Sequence, residues 1–490
     1  MVRETSAFTG QSEEARQTAL SSGRDLKARL PCFPDHRGCK DFVWVILFNL
    51  MLITVIYGCV SQTHEYRTSL QLSDSEPMNV MVRRLKTSIE HTAEAILWSV
   101  IASMVGGICV CAAYIFVLKM WTEAVVRTTM WLTPVLYLGI AALFVYLQVT
   151  QAKRYYDSIF VEYQFAIVGG CFFAAALVTC CLMRRWEKYV PFTVSVIVAV
   201  LEVVTAHPGL LFVAMIGVFL ASVWNCVCLY FIYITAYYST DQFTVLKFVG
   251  AVFSMYWGSM VCMNVTSVAY AGVFGRWYFS IPGAMTIPSL FVGLTTSLGS
   301  VCFGSFCVAF VRTLEYLAKS VRRSNNIIVC IVATILTCIL RCIGDIIEYF
   351  NSWAYVQCAV RNASFCQAAS ITYSMATAAN MRLIISELLL GWVAGVGTLI
   401  ASIFGAAIGY NVGIFLSHDM TQKETQEVAF TGLACGFLSA LIVGSAVNDI
   451  MSTGTKTILM LWAEDKRPFQ ISHPALSSAF DQKLHGVATC

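Results

Sequence analysis

Residues 42–60 read FVWVILFNLMLITVIYGCV, an apolar stretch without a single charged side chain. A helix needs about 20 such residues to cross a hydrocarbon core about 30 Å thick, and inside lipid every peptide group must find its partner within the element itself. Comparable stretches follow at 95–118, 130–149, 165–183, 189–206, 210–235, 248–271, 290–311, 388–416 and 428–447. They make ten candidate spans. None alternates apolar and polar residues with period two, so a membrane β-barrel is disfavoured. The fold class is all-α, a polytopic helical membrane protein.

Composition agrees. Of 490 residues, 58% are hydrophobic and only 12% charged, with a mean hydropathy of +0.70, whereas soluble domains carry roughly 25% charged residues. The net charge of +4 is spread among loops and forms no basic patch, so nucleic acid is not an expected partner. The lipid bilayer is. Twenty cysteines lie mostly inside apolar runs, as at Cys109, Cys111, Cys180 and Cys181, and read as small buried hydrophobes rather than a disulfide framework. No apolar core occupies the first forty residues, which argues against a cleaved signal peptide and makes the first span the expected signal anchor.

Residues 1–41 are polar and rich in Ser, Arg and Glu, which suggests a disordered cytosolic tail. The transmembrane domain is expected over 42–461, with a second cytosolic tail over 462–490. A further apolar run, 327–340, is interrupted by Arg341, Asp345 and Glu348, whose spacings of four and three place them on one helical face. At fourteen residues it reads as an interfacial or re-entrant helix rather than a crossing. With ten crossings, Lys and Arg concentrate on the side of the N-terminus, so the positive-inside rule expects both termini in the cytosol. Counting 327–349 as an eleventh crossing would instead put the C-terminus outside.

Three features bear on function. The last two apolar segments carry a glycine ladder, Gly391, Gly395, Gly405, Gly409 and Gly413, then Gly432 and Gly436, whose spacing of four suits close helix approach. Helix packing explains the ladder better than a hinge does. Aromatic residues make up 13% of the chain, and Trp98, Trp224, Tyr230, Tyr256, Trp257, Tyr270, Trp277 and Tyr278 lie deep in the apolar runs or at their apparent ends. A quaternary ammonium cannot donate an N–H hydrogen bond, and its sites are commonly cages of aromatic faces. Most membrane aromatics are interfacial anchors or core, which is the plainer reading of any one of them. The strongest local candidates are Trp257 with Asn264, and Trp277 and Tyr278 at the outer end of the same helix. Glu202 is the carboxylate embedded within a span, near its outer end, and is a candidate for a substrate or proton role. Glu387 and Asp449 fall just before and just after their apolar runs.

Sequence signatures of enzymes are missing: no GxxxxGK[ST], HExxH or GxSxG occurs, nor a metal or cofactor motif. The sequons at Asn264 and Asn362 fall in an apolar helix and on the cytosolic side, respectively, which disfavours glycosylation.

Several blocks resemble the choline transporter-like family, more its fungal and protist branch than its animal branch. Tyr256-Trp257-Gly258-Ser259 with Asn264, then Ala271-Gly272-Val273-Phe274-Gly275-Arg276-Trp277-Tyr278-Phe279, is similar to the family's helix-and-loop signature. Gly299-Ser300-Val301-Cys302-Phe303-Gly304-Ser305 with Val311-Arg312-Thr313-Leu314 resembles its most recognisable block. Glu348-Tyr349-Phe350-Asn351-Ser352-Trp353-Ala354-Tyr355-Val356 and Leu461-Trp462-Ala463-Glu464-Asp465 with His473-Pro474 continue it in order. Asp449-Ile450-Met451-Ser452 departs from the valine-aspartate-threonine run of the family.

The resemblance implies a ten-span transporter of the plasma membrane or an organelle, with a single-chain path and choline or ethanolamine as substrate. The site residues then expected are Trp257, Asn264, Tyr256, Trp224, Trp277, Tyr278 and Glu202. A transporter of another solute and a non-transporting scaffold or lipid-handling protein are the alternatives.

Overall fold

Each apolar run becomes helix because lipid leaves the backbone no other donor or acceptor. The computed structural model describes residues 21–22, 25, 30–73, 80–151, 164–238, 243–322, 327–378, 381–417 and 422–488. Most of the 1–41 tail, together with Lys153 and Arg154, lies outside them. In chain order the helices are α1 (Phe42–Ser73), α2 (Val80–Met120), α3 (Thr122–Gln151), α4 (Gln164–Trp186), α5 (Val190–Ala206), α6 (Gly209–Tyr238), α7 (Thr244–Tyr278) and α8 (Thr286–Leu294). They continue as α9 (Leu298–Val321), α10 (Ile327–Arg361), α11 (Phe365–Ala378), α12 (Met381–Leu416), α13 (Gln422–Glu464), α14 (Arg467–Ser472) and α15 (Pro474–Ala488). Among the described residues ten stretches are long and apolar enough to cross a membrane. The protein is a polytopic helical membrane protein. The described cysteines are free thiols.

The chain forms two compact units. The first comprises Met1–Leu97, Val203–Ala379 and Lys456–Pro468, and the second Trp98–Glu202, Asn380–Thr455 and Phe469–Cys490.

In the first unit one pole is tied together by the segment preceding α1. Phe33 N donates to Val360 O at 2.8 Å and Lys40 N to Thr296 O at 3.1 Å. Arg361 donates to Leu30 O and pairs with Glu464. Tyr278 Oη donates to Asp465 O at 2.7 Å. The Asp41 carboxylate accepts from Ser300 Oγ and from Phe365 N, each at 2.7 Å, so it caps the first turn of α11 from a distance. This near pole therefore holds the starts of α1, α9 and α11 and the ends of α7, α10 and α13. Gly209, which opens α6, lies against Thr286 of α8 at the same pole, where a Cβ on the glycine would sit 3.1 Å from the threonine oxygen.

These contacts correct the threading read from sequence. From its far end α10 returns to the near pole as one 35-residue helix, so 327–340 is the far half of a crossing and not a re-entrant helix. Residues Gln164–Ala206, which hydropathy alone divides into two spans, form one continuous stretch among the ten described. α5 follows α4 through one 3-10 turn, Glu187–Tyr189, without a reversal of backbone. At 17 residues it is at the short limit for spanning. The two misreadings have opposite parity and cancel. The count of ten survives, the start of α1 and the end of α13 share a pole, and the described turn after α7 moves to that pole as well. Gly275 to Tyr278 accordingly lie at the pole of the N-terminal segment, with Arg276 over the Phe33 ring at 5.6 Å, and not at an outer end.

The run 290–311 is not one helix either. It breaks at Thr295, where φ is −123° and ψ −80°, into the short α8 and the longer α9. α8 leans on α7, with Ser289 against Gly272 and Gly293 against the Val265 carbonyl. Glu387 and Asp449 fall inside α12 and α13 rather than beyond their ends.

The second unit uses the glycine ladder to bring α12 and α13 into backbone contact. A Cβ on Gly432 would stand 2.5 Å from Gly409 O, and one on Gly405 2.8 Å from Gly436 O. Lipid supplies no hydrophobic drive for helix association, so van der Waals contact at such close approach holds the pair. α3 and α4 form a hairpin, with Phe144 stacked on Phe172 at 5.9 Å.

Candidate substrate site

Four of the residues expected from sequence gather around the middle of α7. Trp257 is 3% exposed. Its Nε1 donates to Cys302 O on α9 at 3.0 Å, and its ring meets Phe48, Phe253 and Phe306 at centroid distances of 5.3, 5.5 and 5.3 Å. Trp224 Nε1, on α6, donates to Ser254 O at 2.9 Å, and its indole lies across Gly258, where any side chain would collide with it. Asn264 Nδ2 donates to Ser305 Oγ at 2.9 Å and reaches Tyr355 Oη at 3.4 Å. Tyr256 is half-buried beside them.

The block 299–305 has a physical explanation here. Gly299 lets the carbonyls of Lys40 and Asp41 approach α9, Ser300 meets Asp41, Cys302 accepts from Trp257, Gly304 leaves room for Tyr355 and Phe365, and Ser305 meets Asn264. Asn351 Nδ2 completes the set by donating to Gly304 O at 2.9 Å.

Trp277 and Tyr278 are buried at the near pole instead, twenty residues along α7 from Trp257, or about 30 Å of helix. Glu202 belongs to the second unit and is exposed on α5. The structure thus brings Trp257, Trp224, Tyr256 and Asn264 together and holds the other three elsewhere.

Sequence reasoning missed a charged and aromatic seam in the first unit. Arg312 of α9 donates through Nη2 to Asp345 Oδ1 at 2.6 Å and Glu348 Oε2 at 2.8 Å on α10, and through Nη1 to Glu315 Oε2 at 3.3 Å. Glu315 also pairs with Lys319 at 2.7 Å. Asp345 and Glu348 therefore face α9 rather than pairing with Arg341 on their own helix. Three carboxylates stand against two cations in this group. Asp345 lies about 24 Å along α10 from Arg361, with the apolar run 327–340 on its far side. Asp345 and Glu348 are 59% and 55% exposed. Carboxylates inside a crossing helix face partners or water, since facing lipid costs several kcal/mol.

One residue on, Tyr349 and Trp353 meet edge to face at 6.3 Å. The seam continues toward the near pole at every fourth residue of α10, through Gln357 to Arg361, and a spacing of four keeps these side chains on one face. The end of α13 faces them: Lys456 Nζ lies 5.6 Å from the Tyr349 ring centre, Gln357 Nε2 donates to Met460 Sδ at 2.9 Å, and Glu464 pairs with Arg361. No sequence signal marks Lys456, because only the crossing of two distant helices sets it on an aromatic ring.

The second unit has a cavity of about 20 Å³ among Tyr114, Thr398, Gly444 and Asn448. That volume suits a single water. Among the described residues no group of His, Cys, Asp or Glu side chains is arranged to hold a metal ion.

Comparison with known proteins places this architecture. The family described as plasma-membrane choline transporter matches residues 170–467. A CTL-like protein of Dictyostelium discoideum is 25% identical over 67% of this chain and 58% of its own length. A protein called PNS1 from Cryptococcus neoformans is 25% identical over 76% of this chain and 68% of its own. A second CTL-like protein of Dictyostelium discoideum is 21% identical over 88% and 86% of the two chains. The chain spans rather more than half the length of the first of these relatives. A match across more than half of its own length, covering the helices that build the charged and aromatic seam, shows that the chain belongs to the choline transporter-like family.

Proposed function

We propose that this protein carries choline, or a small ammonium compound of the same class such as ethanolamine, across the plasma membrane as a facilitated or secondary active transporter and not as an enzyme. The observation that carries the reading is the family match over 170–467, which includes α6 to α13 and thus both sets of residues described above. The local chemistry supports it. A methylated ammonium is bound by ring faces and by an excess of carboxylates rather than by hydrogen-bond acceptors, and α10 offers both within a few residues. The break between α8 and α9 adds irregular backbone of the kind found beside transport paths.

In this reading Trp257 and Asn264, with Tyr256 and Trp224, shape a wall of the path, and Trp277 and Tyr278 belong to its near mouth. The near pole is cytosolic in this reading, because it gathers Arg37, Lys40, Arg276, Arg361, Lys466 and Arg467 of the first unit. The test is uptake of labelled choline by the purified protein in proteoliposomes, with and without a pH gradient, and with unlabelled choline and ethanolamine as competitors. Saturable uptake inhibited by both is the expected result. Uptake no greater than in empty vesicles refutes the reading, and saturable uptake that choline does not inhibit assigns another solute.

A further inference from the structure

Among the described residues several cations lie over aromatic rings, and one of them differs in place. Arg37 and Arg276 share Phe33 at the near pole, Lys188 covers its neighbour Tyr189 in the 3-10 turn, and Lys466 covers Trp462 at the end of α13. Lys456 lies inside a crossing helix, about 12 Å along α13 from Glu464, and is 8% exposed. Its ring partner Tyr349 is about 18 Å along α10 from Arg361. An ammonium so far inside is costly and marks function more often than support.

The surroundings of the ring are those of a ligand seat. Tyr349 is 39% exposed, so the lysine leaves part of its ring uncovered. Trp353 presents a second ring at 6.3 Å, and its Nε1 is buried with no hydrogen-bond partner among the described residues. Glu348 and Asp345 follow on the same helix, more than half exposed. Two rings with part of one uncovered, beside two carboxylates that Arg312 holds from α9, define a site for a small ammonium cation, and an ammonium of the chain's own already sits on it.

We infer that Tyr349 and Trp353 form the cation seat of the transport path, and that Lys456 is its tethered occupant, which a substrate ammonium must displace from the Tyr349 ring. This deepens the transport reading and rests on it for the identity of the substrate, while the seat itself requires only a small ammonium ion. Displacement makes loading an exchange of one cation for another on the Tyr349 ring, while Asp345 and Glu348 keep Arg312 as their partner.

The experiment measures binding of labelled tetramethylammonium to the purified full chain in detergent, alongside choline uptake in proteoliposomes. Lys456→Met removes the competitor and leaves an apolar stem, so tetramethylammonium binds at least tenfold tighter than to the unaltered protein. Lys456→Arg, which keeps a cation, gives no such gain, and adding Tyr349→Leu to Lys456→Met abolishes it. Lys456→Gln serves in place of the methionine variant should that variant aggregate. Equal or weaker binding by folded Lys456→Met or Lys456→Gln overturns the inference, as does a gain that survives Tyr349→Leu. If the unaltered protein takes up choline while the Lys456 variants show no gain, the seat fails and the transport reading stands. Tight binding by Lys456→Met with no uptake of any ammonium by the unaltered protein has the opposite meaning.

Discussion

Replacing Gly409 and Gly391 by alanine, one at a time, should move stability in opposite directions although both belong to the same ladder. A Cβ on Gly409 would overlap the Gly432 carbonyl and stand 2.9 Å from both Gly432 C and Ser103 Oγ. Two of these atoms are backbone and cannot rotate away, so α12 and α13 must separate by a good part of an ångström along their whole contact. Overfilling of this kind costs about 1–3 kcal/mol, against which alanine in a helix gains at most about 1 kcal/mol over glycine. The net loss for Gly409→Ala is therefore up to about 2 kcal/mol. A Cβ on Gly391 meets nothing within 4 Å, so Gly391→Ala keeps the propensity gain alone and raises stability by about 0.5–1 kcal/mol. Thermal unfolding of the purified variants in one detergent, followed by intrinsic fluorescence and by recovery of the monodisperse peak, reads both signs. Equal shifts for the two variants would refute the claim that close α12–α13 approach, rather than glycine content, holds this part of the second unit.

Two further substitutions probe the first unit. Arg312→Met strands Asp345 and Glu348, which are more than half exposed and so lose little, and Glu315, which is nearly buried but keeps Lys319; the expected loss is about 1–3 kcal/mol, partly restored by adding Glu315→Gln. A double variant no more stable than Arg312→Met in thermal unfolding would remove the buried pair as the cause. Trp257→Ala empties a space enclosed by Phe48, Phe253 and Phe306 and should cost about 3–5 kcal/mol, lowering surface abundance together with choline uptake. Reduced uptake at unchanged abundance would instead make Trp257 a direct substrate contact.

How far the sequence could be read follows from what each signal measures. Hydropathy reports whether a segment tolerates lipid, and on that basis α1 to α4, α6, α7, α12 and α13 are evident. It does not report whether a segment crosses. α5 is as apolar as any span, since a helix enclosed by protein and a helix enclosed by lipid both reject charge. α10 carries Arg341, Asp345 and Glu348, which hydropathy treats as an interruption, yet Asp345 and Glu348 meet Arg312 from the neighbouring helix. Among candidate site residues, Tyr256, Trp257 and Asn264 are legible as neighbours because helical spacing and a known block lie in one local stretch, whereas Trp224 joins them only through the packing of α6 on α7. Trp277 and Tyr278 were legible as a pair but were assigned to the wrong side, because side depends on every crossing that precedes them.

The sequence by itself determined that the chain lives in a bilayer, that it is helical throughout its apolar runs, and which family it belongs to. These properties reside in composition and in short ordered blocks, which need no neighbour to be recognised. Only the tertiary structure decided which apolar helices cross, and that Lys456 comes to rest on Tyr349 more than a hundred residues away. Crossing and contact are relations between distant segments, and lipid exerts the same selection on each segment separately, so the sequence records solvent at every position and partnership at very few.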